Sequence, residues 1–112
     1  MPRRTPENLD DLGRFSEPGL FILISLADGP KHGYAMTLDI ETLTGQRLGP
    51  GTLYGALARL EARAWIEALP PRDRRRPYRL TKVGKTVLAR RLESVRAVAD
   101  VGRSRLGGPH AS

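Results

Sequence analysis

Apolar positions along the chain switch between helical and alternating spacing, and each switch marks an element. Leu20, Phe21, Ile22, Leu23, Ile24, Leu26 and Ala27 form an almost unbroken apolar run, the pattern of a short helix buried on more than one side. Ser16 suits its N-cap, with Glu17 in the first turn and Pro18 just inside; Asp28-Gly29-Pro30 ends it. A second helix opens at His32-Gly33-Tyr34 and runs to about Thr44. Met36, Ile40 and Leu43 form its stripe, Leu38 lies beside it, and Gly45 is placed as the left-handed residue after its end. Leu53, Leu57, Leu60 and Ala64, at steps of four, three and four, share one face of a third helix that starts at Pro50. Ile66 and Ala68 then alternate about Glu67 as a strand does, and Tyr78-Arg79-Leu80 returns as a second strand. From Lys82 to about Leu106, the residues Leu88, Leu92, Val95, Ala99, Gly102 and Leu106 repeat every seven positions, the spacing of a helix-to-helix seam. Val87, Val98 and Val101 form a neighbouring stripe suited to packing on the body of the domain.

The third helix has an unusual outer face: Thr52, Tyr54, Gly55, Ala58, Arg59, Glu61 and Ala62. A solvated face carries more charge; a surface of small side chains suits close approach to a groove floor. Preceded by a helix and a glycine-containing turn, it makes a helix-turn-helix pattern. The stretch Pro70-Pro71-Arg72-Asp73-Arg74-Arg75-Arg76-Pro77 cannot be an inner strand, so the two short strands around it form a basic wing. The fold class is therefore mainly α with a two-stranded β wing: an arm or short helix over 1–15, a winged helix-turn-helix over 16–81, a dimerisation helix over 82–106 and a tail over 107–112. Leu9, Leu12 and Phe15 fit one helical turn in the arm. Arg3-Arg4 fits either a phosphate-binding tail or a solvated end. The doubly apolar first helix calls for cover from another subunit.

Charge sharpens the picture. The net charge is +7 over 112 residues. Residues 1–67 carry seven Lys/Arg against nine Asp/Glu, whereas residues 68–112 carry twelve against three. A lopsided basic half points to a polyanionic partner. Sixteen of the nineteen basic residues are arginine, the side chain suited to bidentate phosphate and guanine contacts. There is no cysteine, which excludes disulfides and thiolate chemistry and fits a cytoplasmic location. No signal-peptide pattern or membrane-length apolar run is present.

The segments Leu26-Ala27-Asp28-Gly29-Pro30-Lys31-His32-Gly33-Tyr34, Gly51-Thr52-Leu53-Tyr54 with Leu57 and Arg59-Leu60-Glu61, and Tyr78-Arg79-Leu80-Thr81 with Gly84 together resemble PadR-type transcriptional regulators, of the branch with a single long final helix. The resemblance implies a homodimeric DNA-binding repressor that dimerises through its final helix. Gly49 stands where that family usually places a side-chain cap before the proline, a difference of about a few tenths of a kcal/mol. The final helix has no aromatic residue, and Trp65 is the only tryptophan, so a site that sandwiches flat ligands between interface tryptophans is not expected.

These readings assign Thr52, Tyr54, Gly55 and Arg59 to double-stranded DNA on the recognition helix, with Tyr54 equally able to pack under it. Arg72, Arg74, Arg75 and Arg76 are assigned to the backbone or minor groove, Lys31 and Arg47 to phosphates, and Leu88, Leu92, Val95, Ala99 and Leu106 to the dimer seam. His32 organises the turn before the second helix rather than binding metal, and Trp65 plugs the core beneath the wing. No cofactor, metal site or catalytic constellation is expected. Asp39 and Glu41 point in different directions, and the two histidines lie at opposite ends. Two alternatives share the fold: a ligand-responsive sensor with a small-molecule inducer at the dimer interface, and a protein-interaction module whose arginine wing meets an acidic protein.

Overall fold

The computed structural model describes residues 17–107; the expected arm, the Ser16 cap and the tail beyond 107 lie outside them. Among the described residues, four helices, α1 (Pro18–Leu26), α2 (Gly33–Thr44), α3 (Pro50–Ala62) and α4 (Lys82–Gly107), combine with three strands, β1 (Lys31–His32), β2 (Ile66–Ala68) and β3 (Pro77–Leu80). The sheet is antiparallel in the order β1-β3-β2. The sequence predicts only two of these strands. β1 is two residues long, too short for an alternation to show, and exists because β3 supplies its partner: Lys31 pairs with Tyr78 and His32 with Pro77.

The core is Ile22, Leu23 and Leu26 of α1, Met36 and Ile40 of α2, Leu53, Ala56, Leu57 and Leu60 of α3, with Ile66, Leu80 and Leu88. Helix α1 packs against α2, α3, α4 and β3. Its nearly all-round apolar character is answered in part within one chain, while Leu20, Phe21 and Ile24 stay only partly buried. The buried Ser25 hydroxyl donates to Asp39 Oδ2 at 2.6 Å, so a polar group inside the α1–α2 contact is satisfied.

Helix ends follow local chemistry with one exception. Gly45 takes φ 78° after α2, as expected, and its N–H donates to Glu41 O. Helix α3 stops at Ala62, so Ala64 is not part of its apolar stripe: it takes φ 62°. The Ala64 N–H donates to Glu61 O and the Trp65 N–H to Leu60 O, the paired bonds of a Schellman end with alanine in the usual glycine place. The predicted α2 stripe also shortens. Met36 and Ile40 are buried, but Leu43 and Leu38 are exposed.

Thr81 caps α4 by accepting from the Gly84 N–H at 2.9 Å. A Cβ at Gly84 would sit 2.0 Å from the Trp65 carbonyl oxygen. Close approach of α4 to the chain entering β2 therefore explains why the third position of this cap is glycine rather than the Glu or Gln of a full capping box. Only the first turns of α4 touch the body. From Ala89 onward every described residue is exposed, so Val98 and Val101 do not pack on the domain.

Candidate nucleic-acid interface

The wing is tighter than an open loop. Arg72 and Arg75 exchange both backbone hydrogen bonds, at 2.7 and 2.8 Å. Asp73 and Arg74 between them take φ 51° and 67°. Two consecutive left-handed residues closed by that pair make a two-residue turn of the I′ kind, whose twist matches a hairpin. Asp tolerates this conformation; Arg at the second position is held there by the hairpin itself. Arg72, Arg74, Arg75 and Arg76 are all exposed, and Pro70 and Pro71 precede the hairpin without offering N–H groups to a neighbouring strand. The hairpin is rooted by the Leu69 N–H donating to Pro77 O and by the β2–β3 pairs, Ala68 with Tyr78 nearest the tip. Glu67 and Arg79 pair across the strands at 2.6 Å on exposed side chains, a bond worth only about 0–1 kcal/mol.

Helix α3 buries Leu53, Ala56, Leu57 and Leu60 and leaves Gly51, Thr52, Ala58, Arg59 and Ala62 exposed, with Gly55 half-buried. Tyr54, 53% exposed, lies along one flank. Its hydroxyl is held over the start of α2, where a Cβ on the buried Gly33 would come within 2.5 Å of it. The ring is thus packed across the helix-turn-helix and keeps an exposed part. Arg59 occupies the opposite flank, and its Nη1 lies back over Gly55, 3.6 Å from where a Cβ would stand. Small residues fill the space between the two flanks. Tyr78, behind this surface, has its phenol pushed up from the ordinary tyrosine range by burial and by the nearby Glu61 charge, against the opposing pull of Arg76. It remains neutral and adds no negative charge beside the arginines.

The family model described as "Transcriptional regulator PadR-like family" matches residues 22–90. The chain belongs to this family. It is 37% identical over 92 residues to the transcriptional regulator Rv3488 of Mycobacterium tuberculosis, a match covering 80% of this chain and 82% of that protein. An uncharacterized 37.1 kDa protein in transposon TN4556 of Streptomyces fradiae is 48% identical over 82 residues, covering 73% of this chain but 24% of that protein. The chain therefore spans about a quarter of that relative. A crystal structure of a PadR family transcription regulator from Clostridium difficile superposes with a TM-score of 0.74 at 25% identity, covering 82% of this chain and all of that one. The three-stranded sheet, the helix-turn-helix and the long last helix are thus the PadR-like winged-helix architecture, and regulation of transcription through DNA is the work of the class.

Within that PadR-like frame the sequence-assigned residues separate by element. Thr52, Tyr54, Gly55 and Arg59 share α3, and the four wing arginines share one hairpin. Arg47 is exposed in the connector leading to α3. Lys31 is not free for phosphate: its Nζ donates to the Ser25 carbonyl and to Asp28 Oδ1. It holds the Asp28 carboxyl below the usual carboxylate range, first by hydrogen bonding and then by charge. Leu88 is buried in the core of its own chain, so the exposed part of the predicted seam begins at Leu92.

Two features escape sequence reasoning. His32 caps α2 by accepting from the Ala35 N–H at 3.3 Å, as expected for an organiser of that turn, but its Nε2 also lies 3.2 Å from Arg75 Nη1 of the wing. A cleft of about 660 Å³ opens between α1, α3 and α4. Leu20, Leu23, Leu60 and Val87 form its apolar wall. Trp65, only partly buried, lines it beneath Arg63, whose guanidinium carbon stands 5.1 Å from the ring centre. No sequence window contains residues so far apart. Among the described residues there is no group of acidic or histidine side chains fit to hold a metal, and no helix long and apolar enough to cross a membrane.

Proposed function

We propose that this chain is a homodimeric repressor that reads an inverted repeat in duplex DNA. The observation that carries the reading is that Arg75 of the arginine hairpin and Tyr54 of the small-faced α3 both reach the start of α2, at His32 and Gly33. Affinity comes from Arg72, Arg74, Arg75 and Arg76 on phosphates or in the minor groove, with Arg47 adding a phosphate contact at the entry to α3. Selectivity comes from Thr52, Tyr54 and Arg59, while Gly51, Gly55 and Ala58 let the helix backbone approach the base edges. Dimerisation uses Leu92, Val95, Ala99 and Leu106 of α4.

Selection of bound sequences from random duplex tests binding, symmetry and spacing together. The expected product is an inverted repeat with half-sites about 34 Å apart; recovery of no preferred sequence sinks the reading. Replacing the four wing arginines with alanine should weaken binding to all duplexes and flatten the log–log salt slope by about three to four. Unchanged affinity would remove the wing from the interface.

A second reading, ligand control of the same regulator, is favoured by the α1–α3–α4 cleft. Its apolar wall and the rim arginines Arg59, Arg63 and Arg90 suit an amphipathic organic anion, while Arg91 is already paired with the cleft-lining Glu17 at 2.9 Å. This differs from the dimer-interface site that the sequence offers as an alternative. A thermal-shift panel of aromatic and aliphatic carboxylates, followed by release from DNA, separates it from an unliganded repressor.

A further inference from the structure

His32 stands where the turn before α2 meets the wing. Strand β1 places it there: His32 pairs with Pro77, so the chain that carries Arg75 passes over the imidazole. Among the described residues two polar groups lie within hydrogen-bond distance of the ring. The Ala35 N–H points at Nδ1 (3.3 Å), and Arg75 Nη1 lies 3.2 Å from Nε2.

Both neighbours are donors: one is a backbone N–H, the other a guanidinium without acceptor capacity. A neutral imidazole has one N–H and one free lone pair, so it accepts from only one of them at a time. A protonated ring accepts from neither. The geometry therefore defines two exclusive states. With the proton on Nε2, Nδ1 caps α2 and Arg75 faces an N–H, free to leave. With the proton on Nδ1, Nε2 accepts from Arg75, the wing arginine is tethered and α2 loses its cap.

We propose that His32 is a positioning residue that couples the wing to the helix-turn-helix through its tautomer. A DNA phosphate draws Arg75 off Nε2. The ring then gives its Nδ1 proton to water and takes one from water at Nε2, with no net change in protons, and Nδ1 caps α2 while that helix supports α3 in the groove. Arg75 release and α2 capping are one event. This rests on the wing binding DNA phosphate, as proposed above.

The test uses the full chain with His110→Ala, which leaves His32 as the only histidine. Imidazole nitrogen NMR reads the tautomer before and after addition of a mixed-sequence duplex at low salt. The expected result is both tautomers in the free protein and a shift to the Nε2-protonated form on binding. In parallel, the same duplex is titrated with His32→Asn, Arg75→Ala and the double variant. Asn keeps the cap but is too short to hold Arg75, so His32→Asn should bind about two- to fivefold tighter. In the Arg75→Ala background it should change nothing. An unchanged tautomer population on binding, or an equal effect of His32→Asn with and without Arg75, overturns the coupling and leaves the wing's role intact. Arg75→Ala binding as tightly as the unsubstituted chain takes Arg75 out of the phosphate contact and overturns the coupling, whereas the fourfold alanine variant tests the wing itself.

Discussion

Gly33 and Gly84 are both buried, yet their neighbours differ in how easily they move. At Gly84 an added methyl meets a backbone carbonyl at 2.0 Å, and neither α4 nor the chain at Trp65 can yield without disturbing the core contacts of Leu80 and Leu88. Gly84→Ala should therefore destabilise the fold by about 2–4 kcal/mol, read as a fall in denaturation midpoint. At Gly33 the obstacle is the far end of the Tyr54 side chain, which can swing toward solvent. Gly33→Ala should leave thermal stability within about 1 kcal/mol and weaken duplex binding several-fold, because it moves the phenol off α2. Unchanged affinity would assign Tyr54 to packing alone. The two glycines look alike in the sequence, since what a residue must avoid is set by atoms brought near it only by folding. Lys31 teaches the same lesson. Its place before the helix-turn-helix suggests a phosphate contact, but the end of α1 supplies a carbonyl and a carboxylate that engage it first.

At the scale of elements, the wing is where local and tertiary information divide. Prolines and clustered arginines mark 70–77 as exposed whatever the fold. The tight Asp73-Arg74 turn was not legible, because it lacks the Asn-Gly or Asp-Gly signature that usually announces two positive-φ positions; hairpin pairing imposes it instead. The turn also places one carboxylate among four guanidiniums at the tip. Asp73→Asn keeps a residue that tolerates φ 51° and removes charge that opposes phosphate. It should tighten binding to any duplex about three- to tenfold at low salt, an advantage that shrinks as salt rises. Helices α2 and α3 were legible nearly to the residue, because a glycine stops the first and a proline starts the second. The error at Ala64 has a clear source: spacing counts positions along the chain and does not register the left-handed reversal that takes this exposed residue out of the helix.

For the whole molecule, the decisive feature is the projecting half of α4. The helix is about 39 Å long at 1.5 Å per residue, and only its first turns rest on the body. The seven-residue stripe starts inside the core at Leu88 and runs out into solvent through Leu92 and Val95, each 42% exposed, to Leu106 at 91%. A row of exposed apolar side chains on a projecting helix, with Val98 and Val101 exposed beside it, suits a surface for another protein, and an identical stripe on a second copy would be self-complementary in the way two-fold contacts require. Val95→Asp should convert a dimer into a folded monomer in sedimentation at micromolar concentration. It should also weaken binding to an inverted repeat far more than to a single half-site, because the two half-sites would no longer be linked. A dimer that survives the substitution would place the interface elsewhere, with the cleft-lining face of α1 the next surface to examine.

Periodicity, proline and glycine placement, and the clustering of arginine beyond residue 68 determined where helices lie, where they stop and which segment carries exposed positive charge. These properties act between near neighbours, so they survive without knowledge of the fold. Folding decided the rest: that Tyr54 and Arg59 occupy opposite flanks of α3, that Lys31 is engaged and Leu88 buried, that two residues at 31–32 become a strand, and that His32 touches Arg75. Each depends on a distance between atoms far apart in the chain, and such distances are fixed only when the core closes.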